Sequence, residues 1–389
     1  MRYINRFNNC IFAQNKNKKI MSFINLGITK DYIKGLNELG IIKPTEIQTK
    51  AIPILLAEPT DFIGLAQTGT GKTAAFGLPV LSQVDADVPL VQALILSPTR
   101  ELVQQIQKQL FRFTKYVDAR IFSEAVFGGE KIDKQISRLS RPTHIIVATP
   151  GRLIDLIERK SIDLRNIKTL VLDEADEMLS MGFKKELNRI LEFTQGNRNT
   201  WLFSATFPEE IRDIVKTYMA DDYQQIEIDK ESLVNVNIAH QYKITILKNK
   251  LNTLIELLES KGEERGIIFC RTKLGTQKLA SELQEEGFSV GALEGDMQQK
   301  ERDKVMRAFK KENIQYLVST DVSARGIDVQ GLGFVIHHQL PEKLEYYTHR
   351  SGRTARAGNK GNSIALILAT EMQQVYDLQD KLGIKFEEI

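Results

Sequence analysis

Residues Phe62–Thr73 read FIGLAQTGTGKT: a short apolar run, two glycines, then a Lys-Thr pair. A run of that length is strand-sized, and the stretch beyond Thr73 is helical in pattern, so the motif occupies a strand-to-helix turn. That is the context a phosphate-binding loop requires. Gly69 and Gly71 let the backbone turn its amides toward phosphate oxygens, and the following helix adds its positive end. Gln67, Thr68, Gly69, Thr70, Gly71, Lys72 and Thr73 form the expected cradle, with Lys72 reaching the β- and γ-phosphates and the Thr73 hydroxyl ligating magnesium. The strict pattern has glycine where this chain has Ala66. A plain Gly/Thr turn is the competing reading, and GKT with its flanks argues against it.

Outward from this loop, short β-branched runs alternate with amphipathic stretches. Strands are expected at Phe62–Ala66, Ala93–Ser97, His144–Thr149, Leu170–Asp173 and Trp201–Ser204. Val103, Ile106, Leu110, Phe113 and Val117 recur at spacings of 3 and 4, which gives one helix a single apolar stripe. A second series begins near His240, with strands at Tyr242–Ile246, Gly266–Cys270, Val290–Leu293, Tyr316–Thr320, Phe334–His337 and Ile364–Leu368, and helices at Leu274–Gln284 and Lys300–Lys310. The fold class is therefore α/β, two mostly parallel sheets in tandem, each flanked by helices. Asp229–Ile238 has neither period and is the expected linker, which divides the chain into a loosely ordered basic arm 1–20, a first unit 21–228, a linker 229–238 and a second unit 239–389.

The strand Thr169–Leu172 delivers Asp173, Glu174, Ala175 and Asp176. An acid at the end of a buried strand beside a phosphate loop holds magnesium, and its neighbour can deprotonate an attacking water. Asp173 takes the first role and Glu174 the second. Alone, these four residues would equally suit a solvated helix start.

Composition limits the alternatives. At 389 residues the chain should form two or three domains, and 42% apolar with 26% charged residues is ordinary for a globular protein. No apolar run nears the roughly 18 residues that span a bilayer, so a soluble, cytoplasmic protein is expected. Two cysteines, Cys10 and Cys270, exclude a disulfide framework or a multi-cysteine metal cage. The net charge of +3 means that a polyanion must be gripped locally. His144, His240, His337 and His338 lack metal spacing, and Trp201 reads as core. Residues 1–20 carry five cations and no acid, weakly suggesting a targeting segment, while Met21 is an alternative start.

In order and spacing, the motifs resemble those of the DEAD-box ATP-dependent RNA helicases over residues from about 23 to 370. Beyond AQTGTGKT and DEAD, the resemblance rests on Phe23 with GIIKPTEIQ at Gly40–Gln48, SPTREL at Ser97–Leu102, Gly128 with Gly129, TPGR at Thr149–Arg152 and SAT at Ser204–Thr206. In the second unit it rests on IIFCRT at Ile267–Thr272, Gln299 with Arg302, TDVSARGID at Thr320–Asp328 and HRSGRTARAG at His349–Gly358. It implies two RecA-like domains, ATP and Mg2+ as cofactors, and RNA as partner. By the resemblance, Phe23 stacks on the adenine, Gln48 hydrogen-bonds its edge, and Asp328 binds the ribose. Arg353 and Arg356 are the finger arginines that neutralise the transferred phosphoryl group. Ser204, Thr206 and His349 couple the acid box to RNA.

Thr99, Arg100, Gly129, Thr149, Arg152, Thr272, Arg302 and Thr320 are implied to track the RNA backbone. Such hydroxyls, glycine amides and arginines hold phosphates without reading bases, so sequence-independent binding is expected. The second unit has no GKT loop, and CRTKLGTQK after the Gly266–Phe269 strand is expected to stand where the first unit has its phosphate loop. One ATP per chain and a site completed by closure of two lobes follow. After Gly358 only 31 residues remain, ending in an amphipathic stretch at Met372–Leu382 and an acidic tail, so target choice is expected to come from protein partners of a monomeric chain. The same motifs would serve an ATP-gated RNA clamp, and P-loop motor cores also occur in DNA translocases.

Overall fold

The structure is a computed structural model that describes residues 22–67, 69–194, 196, 198–228, 237–324, 329, 331–355 and 360–389. The arm 1–20, Thr68, all but the last two residues of the expected linker, Asp328 and Arg356 lie outside the described residues.

Two seven-stranded sheets form the chain, and every strand pair is parallel. The first lobe contains β1 (Phe62–Leu65), β2 (Ala93–Leu96), β3 (Ser123–Val126), β4 (Ile145–Ala148), β5 (Thr169–Asp173), β6 (Asn199–Ser204) and β7 (Gln224–Glu227), in the order β3-β4-β2-β5-β6-β1-β7. The second contains β8 (Ile238–Thr245), β9 (Arg265–Cys270), β10 (Val290–Leu293), β11 (Tyr316–Thr320), β12 (Leu332–His337), β13 (Gly361–Leu368) and β14 (Phe386–Glu388), in the order β10-β11-β9-β12-β13-β8-β14. Taken in chain order within each lobe, the two permutations are identical.

Central strands are apolar on both faces because helices cover both. Phe62 joins one buried cluster with Phe76, Val103 and Phe203, while its neighbours Ile63 and Leu65 join the opposite one with Leu172 and Ile190. Alternate residues thus serve two cores, which accounts for the continuous hydrophobic runs. Three strands escaped the periodicity, β3 (SEAV), β7 (QQIE) and β14 (FEE), and all three are sheet edges. An edge strand has one partner and a wetter face, so it needs fewer apolar residues.

Several expectations need correcting. The Arg100–Phe113 helix stops at Thr114, so Val117 contacts the same core from the loop beyond it. β8 begins at Ile238, which the linker had been expected to hold, and the acidic tail is strand β14. The strand order also shows that CRTKLG, after β9, corresponds to SPTREL after β2. The counterpart of the phosphate loop is instead the segment Ile246–Asn249 after β8.

Candidate active site

The phosphate loop leaves β1 and enters the Lys72–Gln83 helix. Gly69 and Gly71 hold φ of +85° and +94°, a region that costs other residues strain. A Cβ on Gly71 would run into the Gln48 amide. Lys72 is buried, and its Nζ donates to the Ala66 carbonyl at 2.8 Å. Thr70 Oγ1 donates to the Gln67 carbonyl at 2.7 Å, tightening the turn, and Thr73 is the half-buried second residue of the helix.

Gln48 lies over this loop. Its Oε1 accepts from the Thr45 amide and its Nε2 donates to the Gly71 carbonyl, both at 3.0 Å, so one side chain caps its own helix and touches the loop. Phe23 is only 2% exposed and packs in the first lobe's core.

β5 delivers Asp173 to the loop's flank, and burial pushes its carboxyl up to about 7, with Lys72 opposing that rise and Glu174 adding to it. Asp173 Oδ1 is buried and accepts no hydrogen bond among the described residues. An oxygen left without a donor fits a cation or its bound water, so Asp173 suits the magnesium role, and Thr73 directly follows Lys72, whose charge acts on the same carboxyl. Glu174 sits at φ 51°, ψ 52°, a left-handed conformation rare for a non-glycine residue. Backbone strain of this kind is retained where the surroundings over-determine it.

The acid box is tied to the end of β6. Asp176 Oδ2 accepts from both the amide (2.8 Å) and the hydroxyl (2.9 Å) of Thr206, while Ser204 Oγ accepts from the Asp176 amide at 3.3 Å. Across the cleft, His349 Nδ1 lies 3.8 Å from Glu177 Oε2. In lobe 2, Arg353 is buried in the turn after the Leu344–Ser351 helix, and Ala355 holds φ 54°. Arg350, the first arginine of the same motif, is structural. It is 1% exposed, donates to Asp321 Oδ2 at 2.8 Å and to the Gln339 carbonyl at 2.7 Å, and stands 5.1 Å above the Phe269 ring.

Five of the eight expected RNA-face residues take part in two chains of contacts that each cross between the lobes. Arg152 donates to the Glu130 carbonyl at 3.1 Å, and Glu130 is gripped by Arg138 through two bonds of 2.8 and 2.9 Å, which hold its carboxyl below the usual range against the opposing effect of burial. Gly129, at φ +85°, is packed so that a Cβ would meet Arg100 at 3.0 Å and Gln299 of the other lobe at 3.3 Å. Arg100 reaches Asp303 at 3.3 Å and stacks over Phe127 at 4.7 Å. Arg302 donates to Glu101 at 2.6 Å and to the Ser323 carbonyl at 2.8 Å, and Ser323 accepts from Thr320 at 3.1 Å.

Thr99 and Thr272 begin corresponding helices in the two lobes. Each hydroxyl accepts the amide three residues on, Leu102 at 3.3 Å and Gly275 at 3.0 Å. Thr149 opens the Pro150–Glu158 helix without a side-chain cap, its amide donating to the Val126 carbonyl at 2.9 Å. Sequence reading missed Glu101, Asp303 and Glu177, whose partners lie about 170 to 200 positions away in the chain and carry no local signal.

Comparison with known proteins agrees with this arrangement. The DEAD/DEAH box helicase family matches residues 45–214, and the helicase conserved C-terminal domain matches residues 249–358. ATP-dependent RNA helicase DbpA of Bacillus subtilis is 40% identical over 367 residues, 94% of this chain and 76% of that protein. Among solved structures, S. cerevisiae Dbp5 bound to RNA and ADP BeF3 superposes with a TM-score of 0.86 at 33% identity, covering 95% of each chain. Mss116p bound to ssRNA and AMP-PNP gives 0.84 at 30% identity, covering 96% of this chain and 81% of that one. With a phosphate loop and acid box in one lobe, a buried arginine motif in the other, and relatives matched across both, the chain belongs to the DEAD-box ATP-dependent RNA helicase family.

Proposed function

We propose that the chain is an RNA-dependent ATPase that closes its two lobes on ATP and one RNA strand, separates short duplexes locally, and releases RNA after hydrolysis. The observation that carries this reading is the pair of contact chains Arg152–Glu130–Gly129–Arg100–Asp303 and Glu101–Arg302–Ser323–Thr320, each of which joins the lobes through residues of the expected RNA motifs. The likeness to two relatives bound to RNA and a triphosphate mimic supports the closed arrangement.

In this reading Lys72 and the amides of Gln67–Gly71 hold the β- and γ-phosphates, Gln48, which keeps a second lone pair and N–H, hydrogen-bonds the adenine edge, and Phe23 stacks on the base. Magnesium, held by Thr73 and Asp173, would neutralise charge on the phosphates. Glu174 takes the proton of the attacking water. Arg353 and Arg356 act from the opposite lobe, and Asp328 holds the ribose. Neither lobe contains all of these groups, so turnover requires closure, and closure is biased by contacts that ATP makes and ADP lacks. Thr206 and Asp176 relay the state of the acid box toward His349. Hydroxyls, amides and guanidinium groups along the RNA face bind phosphates irrespective of base.

Glu174→Gln provides the test. Turnover should fall by about 10²–10⁴-fold, the range of a general base, while ATP and RNA stay bound in the shut form. Rapid RNA release in the presence of ATP would remove Glu174 from that role.

A further inference from the structure

Beyond the RNA motifs, the Arg100–Phe113 and Gln299–Lys310 helices, one from each lobe, face each other across an open groove of about 630 Å³. Lys108 and Arg112 line it from the first helix, Arg307 and Lys310 from the second. All four are exposed, and none forms an ion pair among the described residues. The two carboxylates in the walls are already committed, Glu101 to Arg302 and Asp303 to Arg100. Counting Arg100, five cations and two carboxylates line the groove, so it concentrates as much net positive charge as the whole chain carries, +3.

Stability does not account for this arrangement. Lys108 with Arg112 and Arg307 with Lys310 are like-charged neighbours at helical spacings of four and three, each unfavourable by about 0.2–0.5 kcal/mol. Cations suit helix C-termini, which explains Arg112, Arg307 and Lys310 singly, but not Lys108. It does not explain why the two sets confront each other across open space. Between the cations the lining is amide, Gln104, Gln105 and Gln109, side chains that can hydrogen-bond sugar hydroxyls. Arg100 belongs both to the groove and to one of the contact chains of RNA-face residues, so a strand leaving those residues can enter here.

We propose that the groove binds the sugar–phosphate backbone of the same RNA strand, beyond the nucleotides held by the motifs. This rests on the RNA-binding reading above. Its walls come from different lobes, so the second segment is held only in the closed form, and strand length acts on closure by linkage. Longer RNA therefore keeps the protein shut for longer.

The test compares single-stranded RNAs of about 6 and about 18 nucleotides, each with ADP and beryllium fluoride, on the intact chain and on the Lys108→Glu/Arg307→Glu double variant. For the long RNA, affinity should fall about tenfold or more and the slope of log affinity against log salt should shrink by about 1.4, two contacts at about 0.7 each. Affinity for the short RNA, and ATPase at saturating short RNA, should not change. An equal loss for both lengths, or no loss for either, overturns the proposal. Absence of RNA-stimulated ATPase with the unaltered chain would instead defeat the reading on which it rests.

Discussion

β1 and β8 hold the same place in their sheets, β1 between β6 and β7, β8 between β13 and β14. Each is followed by a helix whose first residue is a buried lysine, Lys72 in one lobe and Lys250 in the other, both 6% exposed. The connecting segments differ. In lobe 1 two left-handed glycines wrap the backbone around Lys72. In lobe 2 the segment Ile246–Asn249 has no glycine and exposes Leu247 to 77%, while burial lowers the Lys250 ammonium below its usual range against the pull of Glu371. Strand order alone therefore does not make a phosphate site. The amides must turn inward, and only residues tolerant of positive φ allow that.

The most damaging way to probe this division of labour is Arg353→Ala. If lobe 2 contributes charge neutralisation in place of a phosphate loop, kcat should drop by about 10³–10⁵-fold with ATP affinity nearly kept, as read by single-turnover hydrolysis. A drop no larger than tenfold would make lobe 2 a passive wall.

Next comes the lysine pair. Lys72→Ala should weaken ATP binding by on the order of 10²–10⁴-fold, from two charge-assisted hydrogen bonds of about 1.5–3 kcal/mol each. Lys250→Ala should leave ATP affinity unchanged. Titration of a fluorescent nucleotide measures both, and equal effects would erase the contrast between the loops.

A smaller effect is expected where the lobes meet. The Arg302–Glu101 pair is 12% and 21% exposed, so Arg302→Ala should cost about 10- to 10²-fold in RNA affinity with an ATP analogue present. ATP binding without RNA should not respond. Fluorescence anisotropy of labelled RNA distinguishes the two.

The mildest test uses acid. Burial lowers the His240 imidazole to about 4, and burial with Arg350 alongside holds His337 well below its usual value. For His240, the unfolded chain takes up a proton near pH 6.5 while the folded lobe refuses it until about pH 4. Its stabilising contribution is thus present above about 6.5 and lost as pH falls through that window, by roughly 1.4 kcal/mol per unit. Hydrogen exchange at pH 7 and pH 5 should show lobe 2 loosening more than lobe 1, and His240→Gln should reduce the difference.

Much of this was legible beforehand because the decisive residues act locally. AQTGTGKT, the acid at the end of β5 and the central strands announce themselves through neighbours within a few positions. The errors share a cause. Edge strands β3, β7 and β14 bury too little to need an apolar run, and Val117 kept the helix period after the helix had ended. The correspondence of CRTKLG with SPTREL depends on strand order, which no single strand reveals. Glu101 is the clearest case at the site: it was read as part of SPTREL with no role, yet it receives the guanidinium of Arg302.

The order of residues by itself determined two α/β units, the phosphate loop and its lysine, and the pairing of acids with it, because strand periodicity and glycine-permitted turns are properties of short segments. Tertiary structure decided that both sheets repeat one permutation, that Arg350 is an internal brace on Asp321 and the Gln339 carbonyl, and that two helices confront each other with matching charge. Those facts depend on which distant surfaces touch, and contact between distant surfaces is set by the packing of whole sheets and lobes.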